Sequence, residues 1–147
     1  MSTRSAIAIE MPDHTVESCY CHSDGYPAYN GAFLNKYYNS AEMARTLVDS
    51  GGISSIDKCI GEKHGFDYDE RRDACTFYNR DRGDEKEIST WPDRSSLVKN
   101  ASDHYNAEYL YLFILAGEWL VYDIDHPDNG FVPVATHPDV VNSDYVK

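Results

Sequence analysis

The sequence has few basic residues and no long hydrophobic run, and each shortage excludes a class of protein. Its 147 residues contain 13 Lys and Arg against 25 Asp and Glu, a formal net charge of −12. Because lysine and arginine supply most of the affinity for phosphate backbones and anionic lipids, this charge argues against direct nucleic-acid binding and against a membrane surface. The longest apolar stretch, around Leu110 to Ala116, is far shorter than the ~18 residues that span a bilayer.

Cysteine is also scarce. The four cysteines are too few for a disulfide scaffold, and we expect them to be buried, reduced thiols in a cytosolic protein without a signal peptide. A zinc site would need paired ligands, but the chain has no C-x-x-C, and Cys21 and His22 are neighbours on a predicted strand and point to opposite faces. We therefore predict neither a metal nor another cofactor. The thiols and imidazoles considered are Cys19, Cys21, Cys59, Cys75, His22 and His64.

The residues that are present suffice for one folded domain over 1–147. Hydrophobic residues make up 41% of the chain, and the aromatic residues include 12 tyrosines. This composition excludes a disordered chain, and no repeat, low-complexity tract or linker divides the sequence.

Apolar periodicity predicts an α+β fold. Alternation over residues 4–10 and 15–22 predicts a hairpin, and spacing of 3.6 residues predicts helices over 31–38 and 40–49, the second capped by Asn39. A meander over 109–134 begins with a strand apolar on both faces, which we place in the middle of the sheet. We predict a mainly antiparallel sheet of about five to six strands, formed by the N-terminal hairpin and the C-terminal meander, with one or two helices on one face. The weaker elements are a strand over 74–78 and a short helix within 95–105.

Several polar stretches are predicted to be turns and loops. In the turn after the second strand, Gly25 is expected to supply a positive φ. Oxygen-rich stretches around Asp67 to Asp73 and Asp123 to Gly130 resemble calcium loops, but neither has the glycine and distal glutamate in register, so we interpret both as turns.

Seven segments stand out as a set, in this order along the chain: Ser2-Thr3-Arg4-Ser5, Tyr20-Cys21-His22-Ser23-Asp24-Gly25-Tyr26-Pro27, Asn30-Gly31 with Leu34 and Tyr37-Tyr38, Gly52-Ile53-Ser54-Ser55, Gly61-Glu62-Lys63-His64, Thr76-Phe77-Tyr78-Asn79-Arg80-Asp81-Arg82-Gly83 and Tyr109-Leu110-Tyr111-Leu112-Phe113 with Trp119 and Val121-Tyr122-Asp123. Together they resemble a family of small acidic proteins of unknown function encoded by tailed bacteriophages and prophages. The resemblance covers nearly the whole chain and implies an accessory protein acting in the bacterial cytoplasm. It implies no catalytic residue, and this chain has Ser23 where the family pattern usually has tryptophan.

The candidate ligand-binding residues centre on a local concentration of arginine. A guanidinium matches phosphate oxygens bidentately, so Arg80 and Arg82 could hold a phosphorylated ligand with Arg4 nearby. The competing interpretation is an ion-paired loop, because Asp81 and Asp84 adjoin the arginines. The full candidate set is Arg4, Asp24, Arg80, Asp81 and Arg82 for binding, with His22 and His64 as weak acid–base candidates.

Two functions follow as hypotheses. The first is a non-enzymatic phage interaction protein that binds and inhibits or redirects a host protein, in host takeover or counter-defence, through its acidic and tyrosine-rich surface. Residues 101–147 carry eight acidic and one basic side chain, a charge of −7, and such a face could imitate DNA phosphates. The alternative is a protein that binds or hydrolyses a phosphorylated nucleotide-type compound. A concave pocket joining Arg4, His22, Arg80 and Arg82 would favour the alternative. Both hypotheses are compatible with a homo-oligomer.

Overall fold

A computed structural model describes residues 2–66 and 73–146. The strands of this part of the chain are β1 Ser5–Glu10, β2 Val16–Cys21, β3 Ile53–Ser55, β4 Thr76–Phe77, β5 Ser89–Trp91, β6 Tyr109–Phe113, β7 Trp119–Asp123 and β8 Phe131–Pro133. The helices are α1 Ala32–Tyr37, α2 Ala41–Asp49, α3 Tyr78–Arg82, α4 Arg94–Tyr105 and α5 Pro138–Val141, with a π-helical turn at Pro27–Gly31 and a 3₁₀ turn at Pro127–Asn129.

The strands form one sheet in the order β4-β3-β2-β1-β6-β7-β8, and β5 pairs with β2 on the same edge as β3. The predicted hairpin is β1–β2, with Ile7 opposite Cys19. The predicted meander is β6–β7–β8. The two units join through β1 and β6, which run parallel with Ile7 beside Tyr111. The strand predicted for mid-sheet, β6, therefore lies between β1 and β7.

Helices cover both faces of this sheet. Ile7 and Tyr111 belong to the core cluster that includes α1 and α2 residues such as Leu47. Alternate residues such as Ala8 face the other way and join a second cluster with Leu97 of α4. The α+β class is thus confirmed, while the structure has more strands than expected and places α4 on the face opposite α1 and α2. The physical reason is that β1 and β6 are buried on both faces, so both faces need cover.

The helix starts follow side-chain capping. The hydroxyl of Ser40 accepts a hydrogen bond from the backbone N–H of Met43, so Ser40 caps α2 in place of the predicted Asn39. Asp93 accepts in the same way from Ser96 and starts α4 at Arg94. Each cap satisfies a backbone donor that has no partner within its helix.

The turn after β2 needs Gly25 for space. The positive φ predicted for Gly25 belongs instead to Asp24, at 56°. A Cβ on Gly25 would lie 2.8 Å from the Thr3 carbonyl oxygen, and the Tyr111 hydroxyl donates a 2.6 Å hydrogen bond to the Gly25 carbonyl. The turn is therefore packed directly against the start of β1 and against β6.

The remaining sequence predictions have mixed outcomes. Asp67 and Asp69 of the first calcium-like stretch lie outside the described residues. The stretch interpreted as an ion-paired loop around Arg80 and Arg82 instead begins on a short helix, since both arginines lie in α3. No helix among the described residues is long and apolar enough to cross a membrane.

Candidate functional site

The edge of β2 is interrupted. β5 pairs with Val16 to Ser18, and β3 pairs at Cys21, so no described residue pairs with Cys19 or Tyr20 on this edge. A cavity of about 770 Å³ lies beside the interruption. We call it the split-edge cavity; its lining is Tyr20, Gly52, Tyr78, Arg82, Asp84, Glu85, Glu87, Ser89, Asp103, His104, Tyr105 and Asn106.

Two tyrosines form one wall of the split-edge cavity. The rings of Tyr20 and Tyr105 stack with centroids 6.3 Å apart and planes 18° apart. The Tyr105 hydroxyl shares a 2.7 Å hydrogen bond with Ser18 Oγ, which also accepts from the Trp91 indole at 2.8 Å. Burial raises the pKa of Tyr105 against the lowering effect of its hydroxyl partners, so its phenol stays neutral. This wall is anchored to the sheet.

A second wall already holds a cation. The guanidinium of Arg82 lies 4.8 Å from the ring centroids of both Tyr78 and Phe66. Asp84 accepts hydrogen bonds from its Nε and Nη2, the shorter at 2.7 Å. Hydrogen bonding to Asp84 raises the pKa of Arg82 and lowers that of Asp84. The charge of Arg82 is therefore matched within the cavity.

The other carboxylates of the lining have no such partner. Glu85, Glu87 and Asp103 are exposed and make no hydrogen bond or ion pair through their side chains with the described residues. Among the lining residues that the structure describes, Arg82 is the only lysine or arginine and is paired with Asp84, so these residues are net negative. Such a lining attracts a cation and repels a phosphate.

Arg4 and His22, two of the predicted site residues, meet behind the tyrosine wall. Arg4 Nε donates to the Tyr20 hydroxyl at 3.1 Å, and that hydroxyl lies 2.7 Å from His22 Nδ1. Neither residue lines the cavity; both hold the hydroxyl end of a ring that does. The arrangement makes them positioning residues for Tyr20.

Three other predicted residues form a separate internal cluster. Arg80 donates to both carboxylate oxygens of Asp81 and to the carbonyl oxygens of Ile60, Gly61 and Cys75. These contacts occupy the five N–H donors of its guanidinium. Arg80 is therefore committed to the fold and has no donor left for a phosphate.

The Asp81 carboxylate is the centre of this cluster. Its side chain is fully buried and also accepts from the backbone N–H groups of His64 and Phe77, at 3.1 and 2.8 Å. Burial raises its pKa, but the donors from Arg80 and the backbone outweigh burial and lower it overall. His64 Nε2 lies 3.6 Å from Asp81 and 2.8 Å from the Cys75 carbonyl oxygen. The cluster fixes α3, whose first and last residues, Tyr78 and Arg82, line the cavity.

The predicted residues thus fall into three places. Arg82 lines the split-edge cavity, and Arg4 and His22 contact the lining residue Tyr20 from behind. Arg80, Asp81 and His64 form the internal cluster. Asp24 accepts a hydrogen bond from Tyr26 in the turn after β2. The structure does not bring Arg4, His22, Arg80 and Arg82 into one pocket lining. Sequence reasoning missed Tyr105, Glu87 and Asp103, because only the pairing of distant strands brings them to Tyr20.

The thiols and histidines do not form a metal centre among the described residues, where no group of three or more His, Cys, Asp or Glu side chains could hold an ion. Cys19, Cys21 and Cys75 are buried, whereas Cys59 is exposed, which differs from the expectation that all four are buried.

Comparison with known proteins found no matching family model, no matching curated protein and no matching solved structure. The functional interpretation therefore depends on the geometry and charge of the cavity.

Proposed function

We propose that this protein is a non-enzymatic interaction protein that binds a basic segment of a partner protein at the split-edge cavity. The observation that carries the proposal is the cavity's charge: Glu85, Glu87 and Asp103 have no cation to match them among the described residues, whereas Arg82 is already paired. A partner that supplies positive charge would satisfy these carboxylates and be steered toward them by the field of a chain of net charge −12.

The aromatic content of the cavity supports a protein partner. Tyrosine offers a large contact area for two rotatable bonds and is favoured at interfaces. Here Tyr20, Tyr78 and Tyr105 contribute to one lining. A cavity of about 770 Å³ is larger than one side chain, so it has room for an anchor residue and part of its neighbours.

The positions of the carboxylates in residues 101–147 favour binding at the split-edge cavity over binding through a single DNA-like face. Glu118 lies at the β6–β7 turn, whereas Asp123 and Asp125 lie at the opposite end of that hairpin, because Phe113 pairs with Trp119 and Tyr109 with Asp123. Charges separated in this way do not form one row of phosphate-like groups. Asp103, by contrast, faces the cavity from α4.

The alternative function, binding or hydrolysis of a phosphorylated compound, has less support. It depended on free arginines, but Arg80 is fully engaged by Asp81 and backbone carbonyls, and Arg82 is paired with Asp84. A phosphate in the cavity would also face the carboxylates of Glu85, Glu87 and Asp103.

The resemblance to small phage proteins supports an interaction inside an infected bacterium. We propose that the partner is a host protein of the bacterial cytoplasm, and that binding inhibits or redirects it during host takeover or counter-defence.

The test is affinity purification from infected cells with the unchanged chain and two charge-matched double variants. E87Q/D103N removes two cavity carboxylates, and E118Q/D128N removes one Glu and one Asp that do not line the cavity. We expect a stoichiometric partner that is retained by E118Q/D128N and lost with E87Q/D103N.

The captured protein is then purified and titrated calorimetrically against all three chains at low and physiological salt. Binding should weaken as salt rises, because the contact depends on exposed charges. If purification at low and at physiological salt captures no partner, or if both double variants capture the partner equally, the proposal is refuted.

A further inference from the structure

Arg82 shows what kind of group the split-edge cavity can hold. Its guanidinium is bounded by two aromatic rings, Tyr78 and Phe66, and paired with one carboxylate, Asp84. A guanidinium gains from both kinds of partner, since it stacks on aromatic faces and presents parallel N–H donors to a carboxylate. The chain thus contains a complete guanidinium site filled by its own arginine.

The same lining contains a second set of these groups without a cation. Tyr20 and Tyr105 supply two stacked rings, and Glu87 and Asp103 supply two carboxylates that make no ion pair with the described residues. The rings are held in place from behind, Tyr20 by Arg4 and His22, and Tyr105 by Ser18. Aromatic groups held in this way lose little conformational entropy when a planar group stacks on them.

We infer that this second set binds a guanidinium, and that the anchor of the partner's basic segment is an arginine side chain seated against Tyr20 and Tyr105 with Glu87 and Asp103 as acceptors. The inference rests on the proposed function and names the chemistry of its partner. Lysine is the weaker fit, because its ammonium is compact and strongly hydrated, does not stack as a plane, and cannot pair bidentately with a carboxylate.

The source of the guanidinium is a protein and not free arginine. Free arginine also carries an α-ammonium and an α-carboxylate, and the described lining has no free cation for that carboxylate, because Arg82 is paired with Asp84. An arginine within a peptide has no such group, and flanking basic residues would add attraction to Glu85.

Binding is tested with the full-length chain and small probes, followed by NMR of the tyrosine side chains. The probes are N-acetyl-arginine amide, N-acetyl-lysine amide, N-acetyl-citrulline amide, free arginine and inorganic phosphate. Citrulline is a neutral analogue of arginine of nearly the same shape. We expect the arginine amide to shift the signals of Tyr20 and Tyr105 in a saturable way, with weaker effects from the lysine amide and none from citrulline amide or phosphate.

Variants separate the two kinds of partner group. E87Q/D103N should weaken arginine-amide binding about tenfold, because each exposed ion pair contributes at most about one kcal/mol, and E118Q/D128N should leave it unchanged. Tyr20→Leu removes a ring and should weaken binding more than Tyr20→Phe, which keeps the ring and loses only the hydroxyl contacts with Arg4 and His22. Circular dichroism and thermal unfolding confirm that each variant is folded.

Several outcomes would overturn the inference. They are equal binding of the lysine and arginine amides, equal binding of free arginine and its amide, saturable binding of phosphate, or no binding of any probe. The result is independent of the capture experiment: probe binding without a captured host protein would count against the proposed function alone, and capture without probe binding against the arginine anchor alone.

Discussion

Arg80 is held by both carboxylate oxygens of Asp81, its neighbour in the chain, through Nε at 2.9 Å and Nη2 at 3.1 Å. Adjacent residues of opposite charge usually project apart into solvent, but this pair is turned inward. The Asp81 side chain is fully buried and the Arg80 side chain is 22% exposed. The contact makes Arg80 part of the internal packing of the fold.

We expect Asp81→Asn to destabilise the fold by about 3 kcal/mol, because removal of one partner of a buried ion pair leaves the other charge unmatched. The variant keeps the side-chain shape and isolates the loss of charge. The measurement is urea unfolding followed by circular dichroism, with Asp84→Asn as a control, since Asp84 forms an exposed pair with Arg82. Equal effects of the two substitutions would contradict a special role for Asp81.

The same carboxylate predicts how stability depends on pH. The pKa of folded Asp81 is lowered by Arg80 and backbone donors that outweigh burial, whereas the unfolded chain has the ordinary value of about 3.9. The contribution of Asp81 is thus fully present above about pH 4 and is lost as the pH falls through the lowered folded pKa. Between about pH 5 and 2, the free energy of unfolding of the unchanged chain should therefore fall by more than the free energy of unfolding of Asp81→Asn. Parallel curves would contradict this.

Thiol reactivity should separate Cys59 from the other three cysteines. Burial raises the pKa of Cys21 to about 12 and that of Cys75 to about 11, while Cys59 is exposed. Because the thiolate is the reactive form, a disulfide reagent should modify one thiol per native chain and four after unfolding. Cys59→Ser should leave none reactive in the native chain. Rapid modification of two or more native thiols would contradict the described packing.

The turn after β2 gives a steric prediction. Gly25→Ala would place a Cβ 2.8 Å from the Thr3 carbonyl oxygen and 3.0 Å from the Ser5 Cβ. Overpacking of this kind costs about 1–3 kcal/mol, measured as a lower unfolding temperature.

Gly117→Ala is the comparison for Gly25→Ala. Its Cβ would meet no atom within 4 Å, but its φ is +90°, so it should cost about 1 kcal/mol through backbone strain alone. A smaller effect at Gly25 than at Gly117 would argue against close packing of the turn on β1.

Local patterns determined most of the secondary structure. The alternation in β1 and β2 and the apolar spacing in α2 depend on residues close in the chain, and these elements were predicted within a few residues. The position of β6 inside the sheet also followed from its own residues, which are apolar on both faces. The sequence did not indicate that α4 covers the second face of the sheet, because polar residues such as Asn100 and Ser102 interrupt the apolar pattern of this helix.

The candidate site was predicted only in part. Arg82, Arg4 and His22 were selected for their chemistry, and they do lie at or behind the cavity. Their partners decided their roles: Asp84 matches the charge of Arg82, and the Tyr20 hydroxyl accepts from Arg4. No spacing in the sequence indicates such partners, since Arg4 and Tyr20 are brought together by the β1–β2 pairing.

The sequence by itself determined the α+β class, the hairpin, the meander and the excess of negative charge, because these depend on composition and on contacts between near neighbours. Tertiary structure alone decided which of the negatively charged side chains lie together beside aromatic rings. The split edge of β2 places Tyr20 beside Tyr105, Glu87 and Asp103, which are more than sixty residues away in the chain. Tertiary contacts also decided between the two interpretations of the arginine-rich stretch at the level of pairing, since Arg80 is turned inward onto Asp81 and Arg82 is paired with Asp84.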